Sequence, residues 1–374
     1  VFRKLKIAFV IDAYSPGGGT ETQLHGLLRC LDRSRVDACL FTLRGEIPAA
    51  QRDSFGWPVA CLDVRRLGGL TGLRRFIALV RRLRRERYDV VSIYFIDSNL
   101  FVVPACWLAG VPVVVVNRRD MGYWYDPRLL RRLSLVNRMA DHFLVNSQAV
   151  KAQVVARERF PADRIKVIYN GLWDGPGDIP APGRVDLPVP QDTPVVGIVA
   201  NLRPVKRIDR FLAMAARVAA AVPQAHFVLL GAGGLEQDLR QQVTDLDIAE
   251  RVHFLGLVPD VPAHLARFDV GVLTSESEGL SNALIEYAQA GLPAVAFDTG
   301  GNCEVIADGQ TGFLVPEGDV DTMAERVLRL LGDTELRRRQ GETARRQVLQ
   351  MCDPGRVMDE MMAFFAAIAA KKNR

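Results

Sequence analysis

Val270-Gly271-Val272-Leu273-Thr274-Ser275-Glu276-Ser277-Glu278-Gly279-Leu280-Ser281-Asn282-Ala283-Leu284-Ile285-Glu286 reads as a buried strand, a polar loop and the opening of a helix. A short apolar run without polar alternation marks a strand covered on both faces, and such strands alternate with helices in parallel sheets. The same unit recurs on either side, in Val195-Val196-Gly197-Ile198-Val199, Phe227–Leu230, Val252–Leu255, Ala294–Phe297 and Phe313–Val315. It also fills the first half of the chain. Lys6–Ile11 ends at Asp12 and the loop Pro16-Gly17-Gly18-Gly19, with a helix expected over Thr20–Leu31. Asp89–Ile93, Val111–Val116, His142–Val145 and Ile165–Ile168 are further strands of this kind. Between the two series, Gly175–Pro194 carries Pro176, Pro180, Pro182, Pro188, Pro190 and Pro194, where missing backbone donors and fixed φ leave only a linker. Two Rossmann-like, doubly wound α/β domains are therefore expected, over 1–174 and 195–352, joined by 175–194. Two closing helices are expected near Glu335–Met351 and Gly355–Ala370, the second within a terminal segment 353–374. Ligands of such sheets sit outside the carboxyl ends of the strands, so facing domains would share a central cleft.

Composition narrows the class. The chain has 374 residues, 49% hydrophobic and 24% charged, which excludes disordered and fibrous readings. Its net charge of +5 hides a split: residues 1–174 hold 28 Lys and Arg against 16 Asp and Glu, and residues 175–374 hold 20 against 27. The halves are thus suited to different partners. Leu100–Val116 is uncharged and imitates a membrane span, but Pro104, Gly110 and Pro112 divide it into a core helix and a β-branched strand. The opening Val1-Phe2-Arg3-Lys4-Leu5-Lys6 leads into at most six apolar residues before Asp12, short of a secretory leader. Cys30, Cys39, Cys61, Cys106, Cys303 and Cys352 show no paired spacing, as expected of reduced thiols in a cytoplasmic protein.

Chemistry concentrates around Glu278 and Glu286. A helix starting near Ser281 presents free N–H groups and the positive end of its dipole, which suits a phosphate. Carboxylates beside that end repel phosphate but accept hydrogen bonds from sugar hydroxyls. As a lone pair, the two glutamates would be a capping acid and a solvated helix residue. Arg203, Lys206, Arg207 and Arg210 cluster where another helix begins, against the macrodipole, so an anion is expected there. Gly17-Gly18-Gly19 lets backbone approach a ligand closely, or simply turns the chain. Asn117-Arg118-Arg119-Asp120 ends the Val111–Val116 strand, where a binding role and a structural Arg–Asp pair are both open.

The string Glu278-Gly279 with Glu286, then Gly291-Leu292-Pro293, Thr299-Gly300-Gly301-Asn302-Cys303-Glu304, Asp308-Gly309 and Thr311–Val315, resembles the retaining GT-B glycosyltransferases of glycosyltransferase family 4. The resemblance extends to Gly18-Gly19-Thr20-Glu21, Val145-Asn146-Ser147, Val167–Gly171 and Gly332–Arg337. It implies a GT-B architecture, an acceptor-binding N-terminal domain, a nucleotide-sugar-binding C-terminal domain and a last helix crossing back to the first. It further implies that Glu278 contacts the donor sugar and Glu286 the ribose, and that the amides of Gly279, Leu280, Ser281 and Asn282 hold the distal phosphate. Lys206 matches the family's phosphate lysine. Asn201 stands where its arginine is usual, with Arg203 the nearest substitute, and Gly18 and Gly19 would lie opposite the diphosphate. Asp120, with Arg118 and Arg119 on the acceptor side, takes the place where many members carry a histidine.

The expected function is transfer of a hexose from a nucleotide-diphosphate donor, UDP in preference to GDP, to an acceptor hydroxyl with retained configuration, in bacterial polysaccharide or glycolipid synthesis. No cofactor is expected, and without a D-x-D motif no metal. An epimerase, a glycosyl phosphorylase, a non-catalytic sugar-nucleotide sensor and a membrane-surface binding protein are the alternatives. The Arg74–Arg87 segment is amphipathic and basic, and Arg128, Arg131 and Arg132 extend it: a solvated face, or one resting on anionic lipid beside a lipid-linked acceptor at the inner membrane surface. Without stacking aromatics or a helix-turn-helix pattern, nucleic acid is not expected.

Overall fold

The computed structural model describes residues 3–15, 17–173 and 185–372, and divides into one unit of Val1–Trp173 with Pro354–Arg374 and a second of Asp174–Asp353. Residues 175–184 of the expected linker lie outside the described residues.

Unit 1 contains β1 (Leu5–Ile11), β2 (Val36–Thr42), β3 (Val59–Cys61), β4 (Val90–Ile93), β5 (Val113–Arg118), β6 (His142–Val145) and β7 (Ile165–Val167). They form one parallel sheet in the order β3-β2-β1-β4-β5-β6-β7. The period of two in β1 explains the layering. Ile7, Phe9 and Ile11 face the helix Gly19–Cys30, whereas Ala8 and Val10 face Gly69–Glu86 and Ile96–Ala109. The helix Pro354–Lys372 packs beside Gly19–Cys30, its Met361, Phe365 and Ile368 set against Ile7, Phe9 and Val115. Lys372 fastens that helix to Asp141 at 2.6 Å. The uncharged stretch around Gly110 is core: Ile96–Ala109 is a helix ended by Gly110 at φ 73°, and β5 follows. Among the described residues no helix is long and apolar enough to cross a membrane.

Two strands escaped the sequence reading. In β2, Asp37 interrupts the apolar run, and β3 is a three-residue edge strand.

Unit 2 contains β8 (Val195–Val199), β9 (His226–Leu230), β10 (Val252–Gly256), β11 (Val270–Leu273), β12 (Ala294–Phe297) and β13 (Gly312–Val315), parallel in the order β10-β9-β8-β11-β12-β13. The order reverses between β8 and β11, the place where a doubly wound sheet opens a crevice. Pairing there is short, Val196 with Val270 and Gly197 with Gly271. Beyond it Tyr287, on the helix Asn282–Gln289, enters the gap. Its hydroxyl accepts from Val199 N–H at 2.7 Å and donates to the Val272 carbonyl at 3.2 Å. Gly271 makes room for the ring, since a Cβ there would lie 2.6 Å from Tyr287 Cδ2.

Candidate functional site

The loops after β8, β11 and β12 converge at the switch point of unit 2, sewn together by backbone. Thr274 Oγ1 donates to the Lys206 carbonyl at 2.9 Å, and Glu276 N–H to the Val205 carbonyl at 3.0 Å. Thr299 Oγ1 donates to the Ser275 carbonyl at 3.0 Å, and Gly301 N–H to the Glu278 carbonyl at 3.2 Å. Gly300 adopts φ 53° with its Cα against that carbonyl, so a Cβ would lie 1.8 Å from the Glu278 oxygen. On the other side, Gly231 and Gly233 press against the carbonyls of Ala200 and Leu202, where Cβ atoms would sit 2.0 and 2.4 Å away. The sequence reading did not single out these two glycines. A tight Gly-x-Gly-Gly after a strand was the signal available.

This sewing brings Lys206 Nζ to 2.6 Å from Glu278 Oε1, with 24% and 10% of the two side chains exposed. Ser281 caps the helix Asn282–Gln289, its hydroxyl accepting from Leu284 N–H at 3.4 Å. The first-turn N–H groups have no acceptor within the helix itself. Glu286 is partly buried in that helix, and burial pushes its carboxyl up to about 7. It is therefore no solvated helix residue. Asn201 is partly buried, its carbonyl accepting from Arg203 N–H at 2.8 Å, and the Arg203 side chain is exposed. The other two cations of the cluster are taken by acids: Arg207 by Asp209 at 2.7 Å and Glu276 at 3.5 Å, Arg210 by Glu317 at 3.1 Å. A lysine paired to a carboxylate at a helix mouth, with a second carboxylate inside, can hold a phosphate and polyol hydroxyls together.

Unit 1 has its own cavity of about 330 Å³ at the carboxyl ends of β1, β4 and β5, lined by Asp12, Phe95, Arg119, Asp120, Trp124 and Tyr125 among others. Asp12 accepts from the N–H groups of Ser98 at 2.6 Å and Asp97 at 3.3 Å, filling the start of the helix Ile96–Ala109. Phe95, before that helix, holds φ 64° and ψ 170°, a conformation that ordinarily belongs to glycine and collects at functional sites. Burial raises the carboxyls of both Asp12 and Asp120, and Asp120 accepts from Gly122 N–H at 2.7 Å. Arg119 donates to Asn170 Oδ1, and burial lowers its pKa.

Arg118 does not serve as a free acceptor-side cation. It lies 3% exposed, its Nε and Nη2 each 2.9 Å from the Glu158 carboxylate, which also accepts from Asn137 Nδ2 at 2.7 Å. Burial alone would depress its pKa, and Glu158 more than offsets that. The pair weighed in the sequence reading as Arg–Asp is an Arg–Glu pair. Glu158 stands 40 residues away on a π-helical turn, Val154–Glu158, out of reach of any local motif. Gly18 and Gly19 begin the helix Gly19–Cys30, and a Cβ on Gly18 would fall 2.2 Å from Glu21 Oε2. Within unit 1, then, what Gly18 admits is the helix's own carboxylate.

Residues 17–172 match the family described as Glycosyltransferase Family 4, and residues 183–347 match Glycosyl transferases group 1. Among curated proteins, the chain is 27% identical over 300 residues to the Escherichia coli UDP-Gal:alpha-D-GlcNAc-diphosphoundecaprenol alpha-1,3-galactosyltransferase, covering 76% of each. It is 29% identical over 259 residues to the Salmonella typhi Vi polysaccharide biosynthesis protein VipC/TviE, covering 64% of this chain but only 43% of that protein's length. Among solved structures it superposes on Anabaena Alr3699/HepE in complex with UDP-glucose with a TM-score of 0.84, at 24% identity, over 97% of this chain and 100% of the other. The chain has the GT-B fold, and each of its two units matches a glycosyltransferase family.

Proposed function

We propose that this chain is a retaining hexosyltransferase that moves a sugar from a UDP-sugar to an acceptor hydroxyl in bacterial surface polysaccharide or glycolipid synthesis. The observation that carries the reading is the 2.6 Å Lys206–Glu278 pair at the mouth of the helix Asn282–Gln289, with Glu286 inside it. An ammonium has three donors, so Lys206 can keep Glu278 and still reach a phosphate oxygen. Glu278 then accepts from sugar hydroxyls, and Glu286 from ribose hydroxyls. The N–H groups of Gly279, Leu280, Ser281 and Asn282 stabilise the distal phosphate.

As the glycosidic bond breaks, negative charge grows on the departing diphosphate. Lys206, held by Glu278, and the helix mouth are positioned to receive it, as preorganised donors that lower a barrier, and the exposed Arg203 can swing in to join them. The sugar becomes oxocarbenium-like, and the acceptor hydroxyl attacks the face that the diphosphate leaves, passing its proton to the departing phosphate oxygen. Because cations and amides meet the leaving charge, the reading calls for no metal, and turnover in EDTA should equal turnover in magnesium. On the acceptor side, Arg119 and Asp120 in the unit 1 cavity take part, without Arg118. The Escherichia coli relative, whose name specifies UDP-Gal and a diphosphoundecaprenol-linked sugar, supports UDP over GDP and a lipid-linked acceptor for a cytoplasmic enzyme at the inner membrane face.

Glu278→Gln should lower transfer by at least about 100-fold while UDP still raises the melting temperature, because a bound ligand stabilises the folded state by RT ln(1 + [L]/Kd). Turnover equal to the parent's would sink the assignment. Radiolabel transfer separates this function from phosphorolysis and epimerisation.

A further inference from the structure

Unit 1 exposes apolar residues where its charge is most one-sided. On the helix Gly69–Glu86, Leu70, Leu73 and Ile77 are 77%, 54% and 41% exposed. Their spacing of three and four places them on one stripe. Arg74, Arg81 and Arg84 fall on the same outward side, four residues from Leu70 and four and seven from Ile77, and all three are exposed. Leu73 and Phe76 line one wall of an open groove of about 520 Å³, whose other wall is Arg132, Leu135 and Val136 of the helix Pro127–Val136. Leu135 is 59% exposed. Arg128, Arg131, Arg132 and Arg138 stand seven, four and three residues before it and three after, hence around it on one face. The ridge continues to the end of the helix Ile96–Ala109, where Arg84 donates to the Leu108 carbonyl at 2.7 Å and Trp107 is 63% exposed.

Acids are few on this face and each is engaged. Asp63 pairs with Arg75, Glu86 is bonded to Arg85 at 3.1 Å, and Asp126 caps the helix Pro127–Val136 by accepting from Leu129 N–H at 2.7 Å, while between 127 and 140 there is none. Exposed apolar stripes on a monomer mark an interaction surface. Like charge forbids a second copy of the same face. A nucleic-acid groove would need the arginines but not four exposed aliphatic side chains and a tryptophan. A bilayer surface needs both, since arginines reach headgroup phosphates while leucines enter the acyl boundary and a tryptophan sits between.

We propose that the outer face of the helices Gly69–Glu86 and Pro127–Val136, with Trp107, docks unit 1 onto an anionic lipid bilayer. The proposal rests on none of the donor-site residues, and a failed donor assignment leaves it standing.

The test uses the full chain in vesicle flotation, with 30% phosphatidylglycerol in phosphatidylethanolamine, with phosphatidylcholine alone, and with duplex DNA as competitor. Binding to the anionic vesicles alone is expected. Replacing Arg74, Arg81 and Arg131 by Gln should weaken it on the order of 100-fold, at about fivefold per arginine. Leu73→Ser with Leu135→Ser keeps every charge and should still weaken it several-fold. Both variants should keep the parent's melting temperature and its UDP-induced shift. Equal binding to phosphatidylcholine, unchanged binding by either variant, or displacement from vesicles by duplex DNA with no effect of the serine pair would each overturn the proposal.

Discussion

Two cation–carboxylate pairs sit at strand ends, one in each unit, and their surroundings assign them opposite work. Arg118–Glu158 ends β5 with 2% and 0% of its side chains exposed, joined by two parallel bonds and backed by Asn137. Every donor of the fork that matters is spent inside the protein. Lys206–Glu278 is a single 2.6 Å contact with both side chains reachable from outside. One ammonium hydrogen is used and two remain. Burial, not residue type, separates a pair that holds a fold from a pair that can exchange partners.

The sharpest way to break this comparison is to remove each acid. Glu158→Ala strands a buried guanidinium and should cost about 3–5 kcal/mol, enough to unfold unit 1 in moderate urea. The corresponding loss at Glu278 should stay within about 1 kcal/mol, because Lys206 can turn to water. Urea titrations followed by circular dichroism measure both. Equal destabilisation would mean that the Lys206–Glu278 pair is structural too, and the donor reading would lose its main support.

A smaller effect tests what positions the second site. Tyr287 ties the helix bearing Glu286 to the parted strands β8 and β11. Tyr287→Phe leaves the partly buried Val199 N–H without its acceptor and should cost about 1–3 kcal/mol. UDP affinity should fall with it, since the helix mouth loses its tether. Isothermal titration with UDP reads the second effect. A stability loss with unchanged affinity would show that the helix is held by its other contacts alone.

The contrast also explains what the sequence could disclose. Eleven of the strands announced themselves as short apolar runs, because a strand covered on both faces needs nothing else. The neighbourhood of Glu278, Gly279, Ser281 and Glu286 was legible for a related reason, since they lie within one strand-loop-helix turn. Spacing alone, however, favoured a capping acid and a solvated helix residue, and the donor roles proposed for them came from the family resemblance. Lys206 came from the neighbouring loop at the same switch point. Unit 1 resisted the same method. Arg118 looked like a site residue because it ends a strand, and its partner lies far along the chain on an irregular turn. Phe95 and Tyr287 gave no sign at all, since a forced backbone angle and a hydroxyl bridging two strands are properties of the assembled sheet.

The subtlest test concerns Glu286, whose carboxyl burial has raised to about 7 from its ordinary 4.5. The folded chain therefore binds this proton more tightly than the unfolded chain does, so this residue's contribution to stability is full below about pH 4.5 and is lost as pH rises through 7. Under the proposed function, ribose hydroxyls act on the same group in the opposite sense. They donate to the ionised carboxylate, so binding favours loss of the proton and affinity should rise with pH. Between pH 6 and 8 the ionised fraction of such a group climbs roughly tenfold, which sets the largest gain in UDP affinity to expect. Glu286→Gln should flatten both slopes at once: the melting temperature stops falling between pH 5 and 7, and the UDP dissociation constant becomes independent of pH. A variant that flattens the stability slope yet keeps the parent's pH-dependent affinity would place the ribose elsewhere, while leaving Lys206 and Glu278 as the exchangeable pair that the buried Arg118–Glu158 pair is not.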